Sequence, residues 1–481
     1  MLLRSSLFIL LLLSAFFSCK KDRHEPDPET ESGYPPPIAN IISNKCANAG
    51  CHNDISRAAA GGLSLETWER MFEGSNGGAA VIPYRPDYST LMYYVNHDSI
   101  LPYPQLVPLM PVNEAPLSQQ ELETLRDWIA AGAPDKNGFV KFSDNPSRHK
   151  FYVSNQGCDA VTVFDASTML AMRVKDVGKI PLIESPHLIK ISNDNQFWYV
   201  CFLGGSFFQK YSTTDNSFIA EAPVGAGSWN TFCISSNDSI AYLTDFSNGK
   251  VAIVDLATMT VQFKTGFGNP HGIWLNESDD TLYITAQLES SVFKVPVNDF
   301  TNYEVIDLIQ QFPSPAAELE PHEVAVSPDG LHYYVTCQES NDLRVVQVSN
   351  DSVVKVIPMG LYPVEMAFSE THPYLFVTCL DALNTNPQER GTVAVVNYST
   401  NTFIKNIYSG YQPHGIAVDD VNGRVYIANR NLSQNGPAPH HASLCNGRNG
   451  YVSVIDLSTL QLIPSLTTEV SVDPYSIGIM H

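Results

Sequence analysis

A single short pattern, repeated seven times, constrains this chain more than any other feature. From about Lys150 onward it consists of an aromatic residue, two mostly β-branched or small residues and a strand end. The copies are Tyr152-Val-Ser-Asn155, Tyr199-Val-Cys-Phe202, Tyr242-Leu-Thr-Asp245, Tyr283-Ile-Thr-Ala286, Tyr334-Val-Thr-Cys337, Phe376-Val-Thr-Cys379 and Tyr426-Ile-Ala-Asn429. Their starts are 47, 43, 41, 51, 42 and 50 residues apart. Twelve residues before all but the first stands a second element, which carries His187, Asn230, His271, His322, Val364 and His414. A third follows, as in Val161-Thr-Val-Phe-Asp165, Val251-Ala-Ile-Val-Asp255 and Val452-Ser-Val-Ile-Asp456. These runs are rich in β-formers and separated by Gly, Asn, Asp or Pro. A period of about 40–50 residues holding about four short strands is a propeller blade. Residues 148–481 are therefore expected to form an all-β seven-bladed propeller.

The first Tyr-Val copy has no innermost strand ahead of it. The chain ends on Pro474-Tyr475-Ser476-Ile477, an innermost-strand element with nothing after it. The C-terminal strand should then complete the first blade, which removes open sheet edges. Within a blade, the innermost strand starts where the second strand ends. His187, His271, His322 and His414 should share one mouth of the central channel, with Asn230, Val364 and Tyr475 in the remaining blades. The insertions 380–391 and 430–450, the latter with His440 and His441, should rim the same mouth. Neutral imidazole suits copper or zinc, so copper or another metal there is one reading. The other is that His simply fills the strand start, and no repeat shows a distinct nucleophile or acid–base pair.

Ahead of the repeats lies a smaller unit. It opens on the apolar stretch Ile38–Ile42 and then Cys46-Ala47-Asn48-Ala49-Gly50-Cys51-His52. Covalent haem needs two thiols for its vinyl groups and an adjacent imidazole for iron. The usual spacing has two residues between the cysteines; here there are four, and Gly50 eases the longer turn. A Cys46–Cys51 disulfide with an incidental His is the rival reading. Downstream come Leu109-Met110-Pro111 and then Leu117–Ala133, a helix with Ser118 and Glu121 placed as a capping box and Gly132 at its end.

The order of these pieces resembles the cytochrome c-like domains of planctomycete and Bacteroidetes exported proteins. They carry a Cys-His motif, a Met-Pro-Pro stretch and a terminal "LSxxELxxLRxWIxxGA" helix; here Val112 replaces the second Pro. The resemblance spans about residues 38–136 and implies a small all-α haem domain, set at 38–140. It implies haem c on Cys46 and Cys51, with iron held by His52 and, as distal ligand, Met110. His97 is the rival distal ligand. The repeats in turn resemble the YVTN family of β-propellers.

Arg4 and the apolar run Leu7–Phe17 read as an export signal too short to span a bilayer. Ser18-Cys19 at its end resembles a bacterial lipoprotein cleavage box, although Phe16 and Phe17 depart from it. That resemblance implies removal of residues 1–18 and a lipid on Cys19, with 19–37 as a flexible, Pro-rich tether. A plain secretory signal is the alternative. The protein is then expected outside the cytoplasm, on the inner or outer membrane, facing the periplasm or cell surface. Its contact with membrane would run through the lipid anchor only.

The 481-residue chain carries a formal charge of −22, which argues against nucleic acid as a partner. Of nine cysteines, Cys201, Cys233, Cys337 and Cys379 sit in strand elements as small buried residues. Cys158 and Cys445 follow second strands of the first and last blades, and a disulfide between them would staple the closure. The leading expectation is a lipid-anchored c-type cytochrome that transfers electrons, with a propeller docking a redox partner protein or ligand. Two others stand beside it: a propeller oxidoreductase using haem as a relay, and a haem-free binding protein of the cell surface.

Overall fold

The computed structural model describes residues 32–179, 182–381, 390–432, 444–445 and 447–481. The expected signal and Cys19 lie outside the described residues, as do His440 and His441. No helix among the described residues is long and apolar enough to cross a membrane.

Seven antiparallel sheets, six of four strands and one of five, form a seven-bladed propeller. The first blade takes its innermost strand, Pro474–Ile479, from the C-terminus; it pairs with Lys150–Asn155 in a register that sets Val153 against Ile477. The innermost strands of the other blades start at Pro186, Trp229, Pro270, Pro321, Leu361 and Pro413.

The repeated residues earn their places physically. In Tyr-Val-Thr, the third residue reaches the next blade and donates to the carbonyl of its second-element residue. Thr244 Oγ1 lies 2.6 Å from His271 O, Thr336 Oγ1 2.8 Å from Val364 O, and Thr378 Oγ1 2.6 Å from His414 O. Ser154 makes the weaker equivalent to His187 O at 3.3 Å. The aspartates that end the third element close the outer turns: Asp165, Asp255 and Asp456 each accept from backbone N–H groups two and three residues on. Met169, Met259 and Leu460 follow with φ of 64°, 55° and 53°, a strained state that the turn bonds hold.

The N-terminal unit is helical but irregular, less uniform than an all-α domain. Four short helices are present: α1 (Pro36–Lys45), α2 (Trp68–Met71), α3 (Thr90–Val95) and α4 (Gln119–Ala130). Three 3-10 turns and long connections join them. Proline in the first turn starts α1, and Ile38, Ala39, Ile41 and Ile42 give it one buried face. Tyr34 is already core, so the folded unit takes in the last residues of the segment read as tether. Ser118 caps α4 in a full capping box, and Leu122, Leu125 and Ile129 bury its inner face. Gly132, at φ +101°, ends it.

This unit rests on the outer edge of the propeller where the ring closes. Ile82 joins the core of Phe151, Phe164 and Val470, and Phe142 joins that of Tyr152 and Trp198. Arg85 donates to Val174 O at 3.1 Å and pairs with Asp176 at 3.0 Å, while Gly77 O accepts from Glu469 N at 3.0 Å.

Candidate functional site

Two places gather chemistry. The first follows α1 directly. Cys46 N donates to Ile42 O at 2.9 Å, continuing the helix by one bond. The chain then folds back: Cys51 N reaches Asn48 O and His52 N reaches Cys46 O, each at 3.0 Å. Gly50 takes φ +85° in open space, which the longer spacing requires. Cys46 and His52 are thus brought together by backbone bonds within one seven-residue loop. Both cysteines are free thiols, Cys46 half-buried and Cys51 exposed. Burial, and then the neighbouring Cys51, push the Cys46 thiol up to about 12. Burial lowers the pKa of His52, against a smaller backbone contribution from Leu63, so its ring is neutral near pH 7. Its Nδ1 is buried with no hydrogen-bond partner among the described residues.

Met110 packs, partly buried, against the same core. Its backbone N donates to Tyr94 O at 2.8 Å. His97 Nε2 lies 3.2 Å from Met110 O, so the rival ligand is tied to the backbone of the residue it competes with. Apolar side chains close in sequence to His52 and Met110 face solvent: Ile55 is 96% exposed, Val107 81% and Val112 47%. Free paired thiols, a neutral imidazole with an orphaned nitrogen, and apolar surface needing cover together fit a covalent haem.

The second place is the propeller channel. His187, His271, His322 and His414 do converge there, with one correction. All are buried at 2–4% exposure, so they plug the channel rather than rim an open mouth. Tyr475 belongs to the same ring: its ring centroid lies 3.7 Å from His414 and 4.1 Å from His187. The His271 and His322 ring centroids lie 4.1 Å apart, with the rings tilted by 44°. Burial holds the pKa of all four rings low, that of His271 at about 4. Gln156 donates to His187 Nδ1 at 2.7 Å; His271 Nδ1 donates to His322 O at 3.0 Å and His414 Nδ1 to Tyr475 O at 3.2 Å.

Beyond this plug, toward the opposite face, a cavity of about 570 Å³ occupies the channel. Glu323, Glu365, Lys190 and Trp274 line it, and His481 lies at its outer end. Burial, and for Glu323 the facing Glu365, raise both carboxyl groups, while Lys190 opposes. Sequence reading missed this pair. The signal was present, since each Glu follows its second-element residue directly in adjacent blades (His322-Glu323 and Val364-Glu365).

Elsewhere, Cys158 and Cys445 are disulfide-bonded, with Cα atoms 5.2 Å apart, and join the first and last blades. Cys201, Cys233, Cys337 and Cys379 are buried free thiols.

Fold and site together define a β-propeller protein with an N-terminal cytochrome c-like unit. Residues 49–102 match the family model described as Planctomycete cytochrome C, and residues 285–432 match that of the choice-of-anchor I domain. The first match includes Cys51 and His52 but neither Cys46 nor Met110. No curated protein matches the chain. Among solved structures, a functionally unknown protein from Desulfotomaculum acetoxidans is similar at 13% identity and a TM-score of 0.51, covering 69% of this chain and 99% of that one. Hydrazine synthase of Kuenenia stuttgartiensis is similar at 14% identity and a TM-score of 0.49, covering 63% and 91%. The likeness to the Desulfotomaculum protein is one of fold.

Proposed function

We propose that this protein is an exported, lipid-anchored c-type cytochrome whose haem unit transfers single electrons and whose propeller docks a redox partner protein or ligand. One observation carries the reading. The turn from Cys46 to His52 presents two free thiols and a neutral imidazole within a unit that matches a cytochrome family. Haem bound there would supply a one-electron iron couple. Cys46 and Cys51 would hold the porphyrin, His52 would take one face of the iron, and Met110 the other. A thioether on that face favours the reduced state and so suits a carrier. Cys19 would carry the lipid, and the family name of the 285–432 match, which refers to anchoring, agrees with attachment at a surface.

The channel cavity favours a second reading, in which the propeller is an oxidoreductase and the haem its relay. Both readings require covalent haem; a haem-free surface binding protein does not. The visible spectrum of periplasmically matured protein separates the haem-free reading from the other two. A Soret band that survives acid–acetone extraction and is lost in Cys46→Ala/Cys51→Ala is the expected result. Colourless, iron-free protein ends the cytochrome reading.

A further inference from the structure

We propose that the propeller channel holds a divalent transition-metal ion on His271, His322 and Glu323. One ring nitrogen from each His and one carboxylate oxygen of Glu323 lie within 4.8 Å of one another, all from buried residues. His187 and His414 are not part of this group; their rings pack against Tyr475.

Local structure explains the convergence. The innermost strands of the fourth and fifth blades bulge between Pro270 and Ile273 and between Pro321 and Val324. His322 and Glu323 both fall in the second bulge, which frees two successive side chains from the alternation of a regular strand. Gly272 lets the two strands approach. A Cβ there would lie 2.6 Å from His322 O and 3.0 Å from Glu323 Oε1, so only glycine is accommodated.

The donors are also prepared. His271 Nδ1 donates to His322 O, which leaves Nε2 as the lone-pair nitrogen. His322, 3% exposed, keeps a buried Nδ1 with no partner among the described residues. Such an orphan is costly in a purely structural role, and a metal or its bound water would satisfy it. Glu323 and Glu365 place two buried carboxyl groups near a single lysine, Lys190, and a dication would compensate them. Two imidazoles and a carboxylate suit zinc, iron(II) or copper(II) over magnesium or calcium. The cavity wall includes Glu323, so the ion would be reached from the face opposite the plug.

The test uses full-length mature protein, stripped with a chelator and titrated with Zn2+ alone. One zinc per chain and a rise in melting temperature are expected. Glu323→Gln and His322→Gln should each weaken binding by at least about tenfold, and His149→Gln, outside the cluster, should not. Should His322→Gln fail to fold, Glu323→Gln, near-isosteric on the cavity wall, decides alone. Absence of zinc binding by the wild type, or equal affinity in Glu323→Gln, overturns the site. Zinc is counted apart from iron, so this outcome is independent of the haem assignment.

Discussion

Asp419 shows how much one side chain can hold at the closure of the ring. Its carboxylate accepts from His149 Nε2 at 3.1 Å, from Asn422 N at 3.0 Å and Nδ2 at 2.7 Å, and from Tyr426 OH at 2.8 Å. Burial alone would raise its pKa, but these donors outweigh it and bring it to about 2. A carboxyl group depressed in the folded state stabilises above its unfolded value of about 3.9, and that contribution is lost as pH falls toward 2. Roughly 2 kcal/mol should disappear across that window. Asp419→Asn should remove that part of the acid sensitivity and lower stability at neutral pH, as denaturant melts at several pH values will show. Met110 makes the matching residue-scale prediction for the haem unit. Met110→Ala should lower the reduction potential or give a high-spin spectrum. An unchanged spectrum would pass the distal role to His97, whose ring already lies beside the Met110 carbonyl.

At the scale of elements, the Tyr-Val-Thr strand is a device for joining blades. Thr378 Oγ1 satisfies His414 O in the next blade and lies 3.2 Å from Glu365 O in its own. Thr378→Val keeps the shape and leaves a buried carbonyl without its donor. The expected loss is about 1–3 kcal/mol by chemical denaturation, with the strand otherwise retained. Most of this architecture was legible in the sequence. Strand positions, blade number and the capping box of α4 depend on residues close in the chain, and their spacing recurs. The use of Thr was not legible, because its partner lies 36 residues further on, in another blade.

For the whole molecule, closure is the organising event. The C-terminal strand completes the first blade, and the Cys158–Cys445 bond ties residues 287 apart across the same seam. Cross-linking so long a loop restricts the unfolded chain, typically by about 2–4 kcal/mol of stability. Cys158→Ser/Cys445→Ser should therefore melt at a lower temperature than the oxidised wild type and should lose the wild type's response to reductant. Equal melting curves would remove the staple from the account. The helical unit docks on this same seam through Ile82, Phe142 and Arg85.

The sequence alone determined the number of blades, the phase of the strands, the shared end occupied by the four histidines, and the turn that joins Cys46 to His52. Each is a matter of covalent spacing: neighbours a few residues apart, or copies at a constant period, have little freedom in where they go. Tertiary structure alone decided that the imidazoles are sealed inside, that Tyr475 completes their ring, and that Glu323 approaches His271 across a glycine-wide gap. Those outcomes depend on how closely strands from different blades, far apart in the chain, lean together. Burial and proximity of that kind are set by all the blades at once, and no local pattern encodes them.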